Sequence, residues 1–174
     1  DARVLPVKKL EKILGEAGIT RENEIIVYGA KGDTGPDVVF WILEYLGAGK
    51  AKVYHGGFDD WTAGKHPLTN EPRKLPAAPF TAKVRADVIA TTDYVKQNLQ
   101  NSEIQFIDTR TAKESSGDDI RSLRGGHIAA ANHVNIPYET AWKDPEAAKK
   151  LAEKTVKDRE GMALKDTAGL KELY

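Results

Sequence analysis

A short apolar run, Ile25-Ile26-Val27-Tyr28, leads into Gly29-Ala30-Lys31-Gly32-Asp33-Thr34-Gly35, a loop whose residue types can cradle an anion. Backbone amides wrapped around the start of a helix hold negative charge through oriented N–H groups and the helix dipole. Lys31 would add a positive charge, and Gly32, Asp33 and Thr34 complete the turn. No Gly-Lys-Ser/Thr closes the loop at P-loop spacing, so it does not read as a nucleotide-phosphate site. Glycines here also serve backbone geometry alone, and that reading stands beside the anion-binding one.

A second set of residues lies further on. Asp108 and Arg110 follow an apolar run at residues 104–107, which puts a carboxylate and a guanidinium at the C-terminal end of a strand. Ligand sites of α/β sheets sit at such ends, although a plain structural ion pair has the same signature. His127, in Gly126-His127-Ile128, shapes its turn through a side-chain hydrogen bond or moves a proton. His127 and His133 lack the spacing of two ligands on one helix face, and no Cys or Glu pattern completes a metal site. Asp59-Asp60 and Asp118-Asp119 read as solvated loop charges, because nothing apolar nearby would raise a carboxyl pKa. The chain has no cysteine, which excludes a disulfide, a zinc–thiolate site and thiol catalysis within these residues.

The elements that must position these residues follow from periodicity. Val7, Leu10, Ile13, Leu14 and Ala17 recur at helical spacing before Gly18. Residues 25–28 suit a buried parallel strand, and Pro36 fits the first turn of the next helix. That helix carries a stripe of Val38, Val39, Ile42, Leu43 and Leu46 and ends at Gly47. Lys52-Val53-Tyr54 is a second strand, and Gly56-Gly57 forces a turn. The rhythm predicts an α/β fold, a parallel sheet flanked by helices. Residues 67–79 hold four prolines and few large apolar residues and read as an extended linker. Beyond it, Thr91 or Thr92 caps a helix, residues 104–107 form a strand, and residues 113–124 read as a surface loop. Asp144-Pro145 starts a helix carrying Leu151, Ala152 and Val156. Trp41, Trp61 and Trp142 read as anchors of a core or a domain interface.

Composition narrows the partners. Lysine plus arginine (26) balance aspartate plus glutamate (26), so no net charge draws the chain to nucleic acid or an anionic membrane. No apolar run approaches the roughly 20 residues of a membrane span, so no membrane partner is predicted, and no cofactor motif is present. The compartment is left open between cytoplasm and periplasm.

Taken in order, the loop at Gly29 to Gly35, the His55-Gly56-Gly57-Phe58-Asp59-Asp60-Trp61 stretch, Asp108-x-Arg110, Glu114, Gly126-His127-Ile128 and Asn135 resemble the tandem-domain rhodaneses. A short echo between Lys9-Leu10-Glu11-Lys12-Ile13 and Gly169-Leu170-Lys171-Glu172-Leu173 falls where each domain of that family has a helix. The resemblance implies two incomplete rhodanese-like units: residues 1–66 as the C-terminal part of a first domain, 67–82 as a Pro-rich linker, and 83–174 as the N-terminal part of a second. It implies a sulfurtransferase whose cysteine carries sulfur as a persulfide from a donor such as thiosulfate to an acceptor such as cyanide. The nucleophile position of the first loop falls at Gly29, so this cysteine-free chain is expected to be inactive alone. Lys31, Gly32, Asp33, Thr34, Asp108, Arg110, Glu114 and His127 become loop-support or anion-binding candidates. Some members have a substrate-binding arginine where Glu114 stands, and Ala129-Ala130 replace a usual proline-glycine. The implied partners are a small sulfur-containing anion and either the remainder of the polypeptide or a second copy. The reading from another class is a non-catalytic anion-binding or interaction module.

Overall fold

A computed structural model describes residues 4–153 and 159–174, which form two compact units, Asp1–Ile89 and Ala90–Tyr174. Val156, assigned above to a helix face, lies outside the described residues.

The first unit runs α1 (Val7–Glu16), β1 (Ile25–Val27), α2 (Gly35–Tyr45), β2 (Ala51–Val53) and α3 (Gly57–Ala63). Strands β1 and β2 pair in parallel, Ile25 opposite Ala51 and Val27 opposite Val53. A parallel pair needs a crossover, and α2 supplies it. The core gathers Leu10 from α1, Leu43 from α2, then Leu46, Ala48 and Phe80, with Ile25, Val27 and Ile42 packed against them. Leu43 and Leu46 are almost wholly buried, whereas Val38 and Val39 of the expected stripe are exposed. The core surrounds only the C-terminal half of α2, so an apolar stripe along the whole helix overstates what is covered. Similarly, β1 is buried on one face only: Ile26, the middle residue, is 63 % exposed.

Residues 67–82 form no regular element, but their end is bound to this unit. The Ala78 amide donates to the Gly15 carbonyl (2.9 Å), and the Ala82 amide donates to Glu11 Oε1 (2.9 Å). That amide, helped by Lys8, holds the Glu11 carboxyl below its ordinary range. Lys83 and Arg85 then donate to the carbonyls of Leu46 and Tyr45, both at 2.9 Å.

The second unit contains α4 (Thr92–Gln97), β3 (Phe106–Asp108), α5 (Ala112–Ser116), β4 (His133–Asn135), α6 (Ala147–Ala152) and α7 (Thr167–Leu173). Thr91 caps α4 by accepting the Tyr94 amide. Strands β3 and β4 are again parallel, Phe106 opposite His133 and Asp108 opposite Asn135. Trp142, Ala147 and Met162 make a small core with Ala148, Leu151 and Leu164. The stretch read as a loop from residue 113 begins instead with α5. Thr111 and Glu114 form a reciprocal capping box around its start, and Gly117, left-handed, ends it. Both regions of the weak repeat are helical, in α1 and α7.

Candidate functional site

The first loop leaves β1 and enters α2. At Gly57 the start of α3 presses against it: a Cβ there would come within 2.5 Å of the Gly29 carbonyl oxygen, and φ is +58°. Only glycine meets both conditions at low cost. The contact lets the Phe58 amide donate to Gly29 O (2.8 Å) and brings the first turn of α3 to the loop. Asp59 Oδ2 accepts the Lys31 amide (2.7 Å), and Asp60 pairs with the Lys31 ammonium, whose side chain is 3 % exposed. Both aspartates are therefore engaged side chains of a helix start, although Asp60 stays 45 % exposed. Apolar surroundings were the wrong criterion for them, since their partners are a backbone amide and a buried ammonium.

Within the loop, Gly32 is left-handed (φ +77°) and Asp33 Oδ1 accepts the Gly35 amide (2.9 Å). Thr34 occupies the N-cap position of α2 without a side-chain cap. A Cβ on Gly29 would meet Pro36 Cγ at 2.9 Å and Asp33 Oδ2 at 3.0 Å, so no larger side chain enters without displacing the turn. Two amides of the loop already hold carboxylate oxygens from within the chain. An external anion would have to displace them or approach their charge.

In the second unit, Asp108 stands at the end of β3 and receives a fork from Arg110: Nε to Oδ1 at 2.9 Å and Nη2 to Oδ2 at 2.6 Å. Arg110 Nη2 also donates to the Gly126 carbonyl (2.9 Å), tying the turn before His127 to the strand end. Asn135, at the end of β4, donates its amide to the carbonyls of Asp108 and Arg110, both at 2.8 Å. The Arg110 guanidinium, more than any other contact, holds the Asp108 carboxyl far below the carboxylate range. Glu114 is spent on the capping box, accepting from Thr111 Oγ1 (2.8 Å), with Arg121 3.7 Å away. His127 Nδ1 lies 2.8 Å from the Ser115 carbonyl; an oxygen that only accepts requires that nitrogen to carry the proton. Its ring stacks on His133 at 3.9 Å and 14°.

His133, weighed in the sequence only as a metal ligand, joins this site. Its Nε2 is buried without a hydrogen-bond partner and lies 3.8 Å from Asp108 Oδ2. The available signal was register. In parallel strands of period two, Phe106 and Asp108 share a face with His133 and Asn135. Phe106, Asp108 and His133, with Ile107, Thr109, Arg110 and the turn at residues 126–128, border a cavity of about 420 Å³. Lys31, Gly32, Asp33 and Thr34 thus gather with Asp59 and Asp60 in one unit, and Asp108, Arg110, Glu114 and His127 gather with His133 in the other. Among the described residues, no group of three or more His, Cys, Asp or Glu is placed to hold a metal ion.

Known proteins share this fold. Superposition on SseA of Escherichia coli, a 3-mercaptopyruvate sulfotransferase of rhodanese fold, gives a TM-score of 0.70 over 95 % of this chain and 56 % of that one, at 21 % identity. YnjE matches at 0.76 over 97 % of this chain and 39 % of that one, at 16 % identity. At these identities the likeness speaks for the fold. In sequence, the thiosulfate sulfurtransferase of Mus musculus is 30 % identical over 131 residues, 72 % of this chain and 43 % of the relative. The corresponding protein of Azotobacter vinelandii is 28 % identical over 146 residues, 84 % of this chain and 53 % of the relative.

In sequence and in fold the chain is similar to the rhodaneses. No family model matches it. The chain spans about half the length of the curated rhodaneses it matches. Its fold is the rhodanese α/β type, parallel strand pairs flanked by helices. Among the described residues, no helix is long and apolar enough to cross a membrane.

Proposed function

We propose that this chain is part of a rhodanese-type sulfurtransferase, its first compact unit ending one domain and its second opening the next. The parent moves sulfane sulfur from a donor such as thiosulfate to a thiophilic acceptor such as cyanide. A cysteine thiolate attacks the outer sulfur of thiosulfate, sulfite leaves with the electron pair of the broken S–S bond, and the cysteine keeps a persulfide. Cyanide then takes the terminal sulfur as thiocyanate and restores the thiolate. That cysteine is not among these residues, and the chain alone is inactive.

The observation that carries this reading is the similarity to thiosulfate sulfurtransferases, spread over both units in a chain with no thiol of its own. In the proposal the first loop is structural: Lys31, Gly32, Asp33 and Thr34 hold a turn whose amides its own carboxylates occupy. Asp108, Arg110, Glu114 and His127 brace the start of the second domain, where the small sulfur anion is handled once the reactive loop is present.

Cyanide-dependent thiocyanate formation is the test. The full-length protein carrying these 174 residues is expected to turn over thiosulfate and the purified chain to give only the reagent blank. Turnover by the chain would overturn the proposal. Calorimetry with sulfate and thiosulfate separates the module reading, because saturable binding to the chain alone would favour a stand-alone anion-binding role.

A further inference from the structure

Two histidines of the second unit are held face to face. The His127 and His133 rings stack with centroids 3.9 Å apart and planes 14° from parallel. His127 belongs to the turn at residues 126–128, and His133 opens β4. The Nδ1 proton of His127 is committed to the Ser115 carbonyl. His133 has no such tie: among the described residues its buried Nε2 has no hydrogen-bond partner, and it lies 3.8 Å from Asp108 Oδ2. That separation is too long for a hydrogen bond but short for a charge interaction, since the two side chains are only 14 % and 11 % exposed. Arg110, forked onto the same carboxylate, borders the same cavity from the end of β3. On α5, Glu114 is turned to Thr111, with Arg121 beside it.

Histidine is the side chain whose ordinary charge change falls between about pH 5 and pH 8. Two stacked imidazolium rings would set like charges face to face, so the stack has room for one proton and not for two. Asp108 decides where that proton goes. On His133 it makes the unpartnered Nε2 a charged donor facing a carboxylate; on His127 it would leave that nitrogen as it was. Arg110, a cation on the same carboxylate, opposes the uptake, and so does burial. We propose that the His127–His133 stack is a one-proton switch at the end of β3. Taken up by His133, the proton adds a second cationic donor to Asp108 and ties β4 and the turn at residues 126–128 to the strand end. Released, it leaves Asp108 to the Arg110 fork. The switch goes beyond the sulfurtransferase reading and does not rest on it.

NMR of the imidazole ring carbons and protons across the histidine range, about pH 8 down to about pH 5, tests this on the 174-residue chain. The indole signal of Trp142, in the small core of the second unit, reports folding, and the exposed His55 and His66 serve as uncoupled references. His133 is expected to take up its proton first and His127 to follow about one pH unit lower or more, the mark of coupled sites. Asp108→Asn should move the His133 midpoint down and Arg110→Ala should move it up, each by about half a pH unit. A stack with a packing role alone would not respond in opposite directions to the two variants. Amide exchange over residues 126–128, corrected for its intrinsic pH dependence, should slow about three-fold on protonation in the native chain. It should not do so in His133→Gln, whose side chain donates without titrating. Two rings that titrate independently overturn the proposal. So does first uptake on His127, or a His133 midpoint that stays in place in both variants. Where Trp142 shows that Asp108→Asn unfolds the unit, the order of uptake in the native chain and the Arg110→Ala shift decide the matter.

Discussion

Gly29 shows at the scale of one residue why the first loop has no sulfur chemistry. Restoring a thiol there is not a matter of a free position, since a Cβ would press on Pro36 and the Asp33 carboxylate. Gly29→Cys is expected to cost about 1–3 kcal/mol as an overpacking change. It should form no thiocyanate, because Asp33 and Asp59 occupy amides that would otherwise stabilise a thiolate or its persulfide. Urea unfolding and the thiocyanate assay check both parts. Arg110 is the complementary case. Its fork keeps Asp108 ionised in the fold at pH values where the unfolded chain, titrating near 3.9, binds a proton. The pair's stabilisation is therefore complete above about pH 4 and is lost as the pH falls further. Arg110→Ala should lower stability at neutral pH, because it removes the charge-assisted fork on Asp108. The penalty should shrink as the pH drops toward 2, and stability measured against pH for both proteins tests the sign.

Short helices are where reading and structure parted at the element scale. The Thr111-x-x-Glu114 signature lay in plain sequence, but five helical residues are too few for an apolar period to announce them. The capping box carries α5, and α5 places the Ser115 carbonyl under His127. Thr111→Ala should destabilise the unit by about 1 kcal/mol, the usual cost of a lost N-cap, and raise amide exchange over residues 112–117. Long elements behaved differently. The apolar period in residues 7–17 and the run at 25–28 correspond to α1 and β1 to within a residue or two, because each repeats one burial demand several times.

For the molecule as a whole, each unit rests on a few large side chains. Phe80 is 5 % exposed and belongs to the first core, although it follows a proline-rich stretch. Phe80→Ala should cost about 3–5 kcal/mol as a buried aromatic truncation, seen as faster hydrogen exchange in α1 and α2. Alternation and periodicity in the sequence determined the α/β class and parallel pairing, and its lack of cysteine determined that these residues form no persulfide. Those properties depend on local chemistry, legible one segment at a time. Only the tertiary structure decided that Asp59 and Asp60 fill the first loop, that His133 lies beside Asp108, and that one face of β1–β2 stays open. Each depends on residues about 25 or more positions apart, or on the absence of anything packed against them, and no local pattern encodes either.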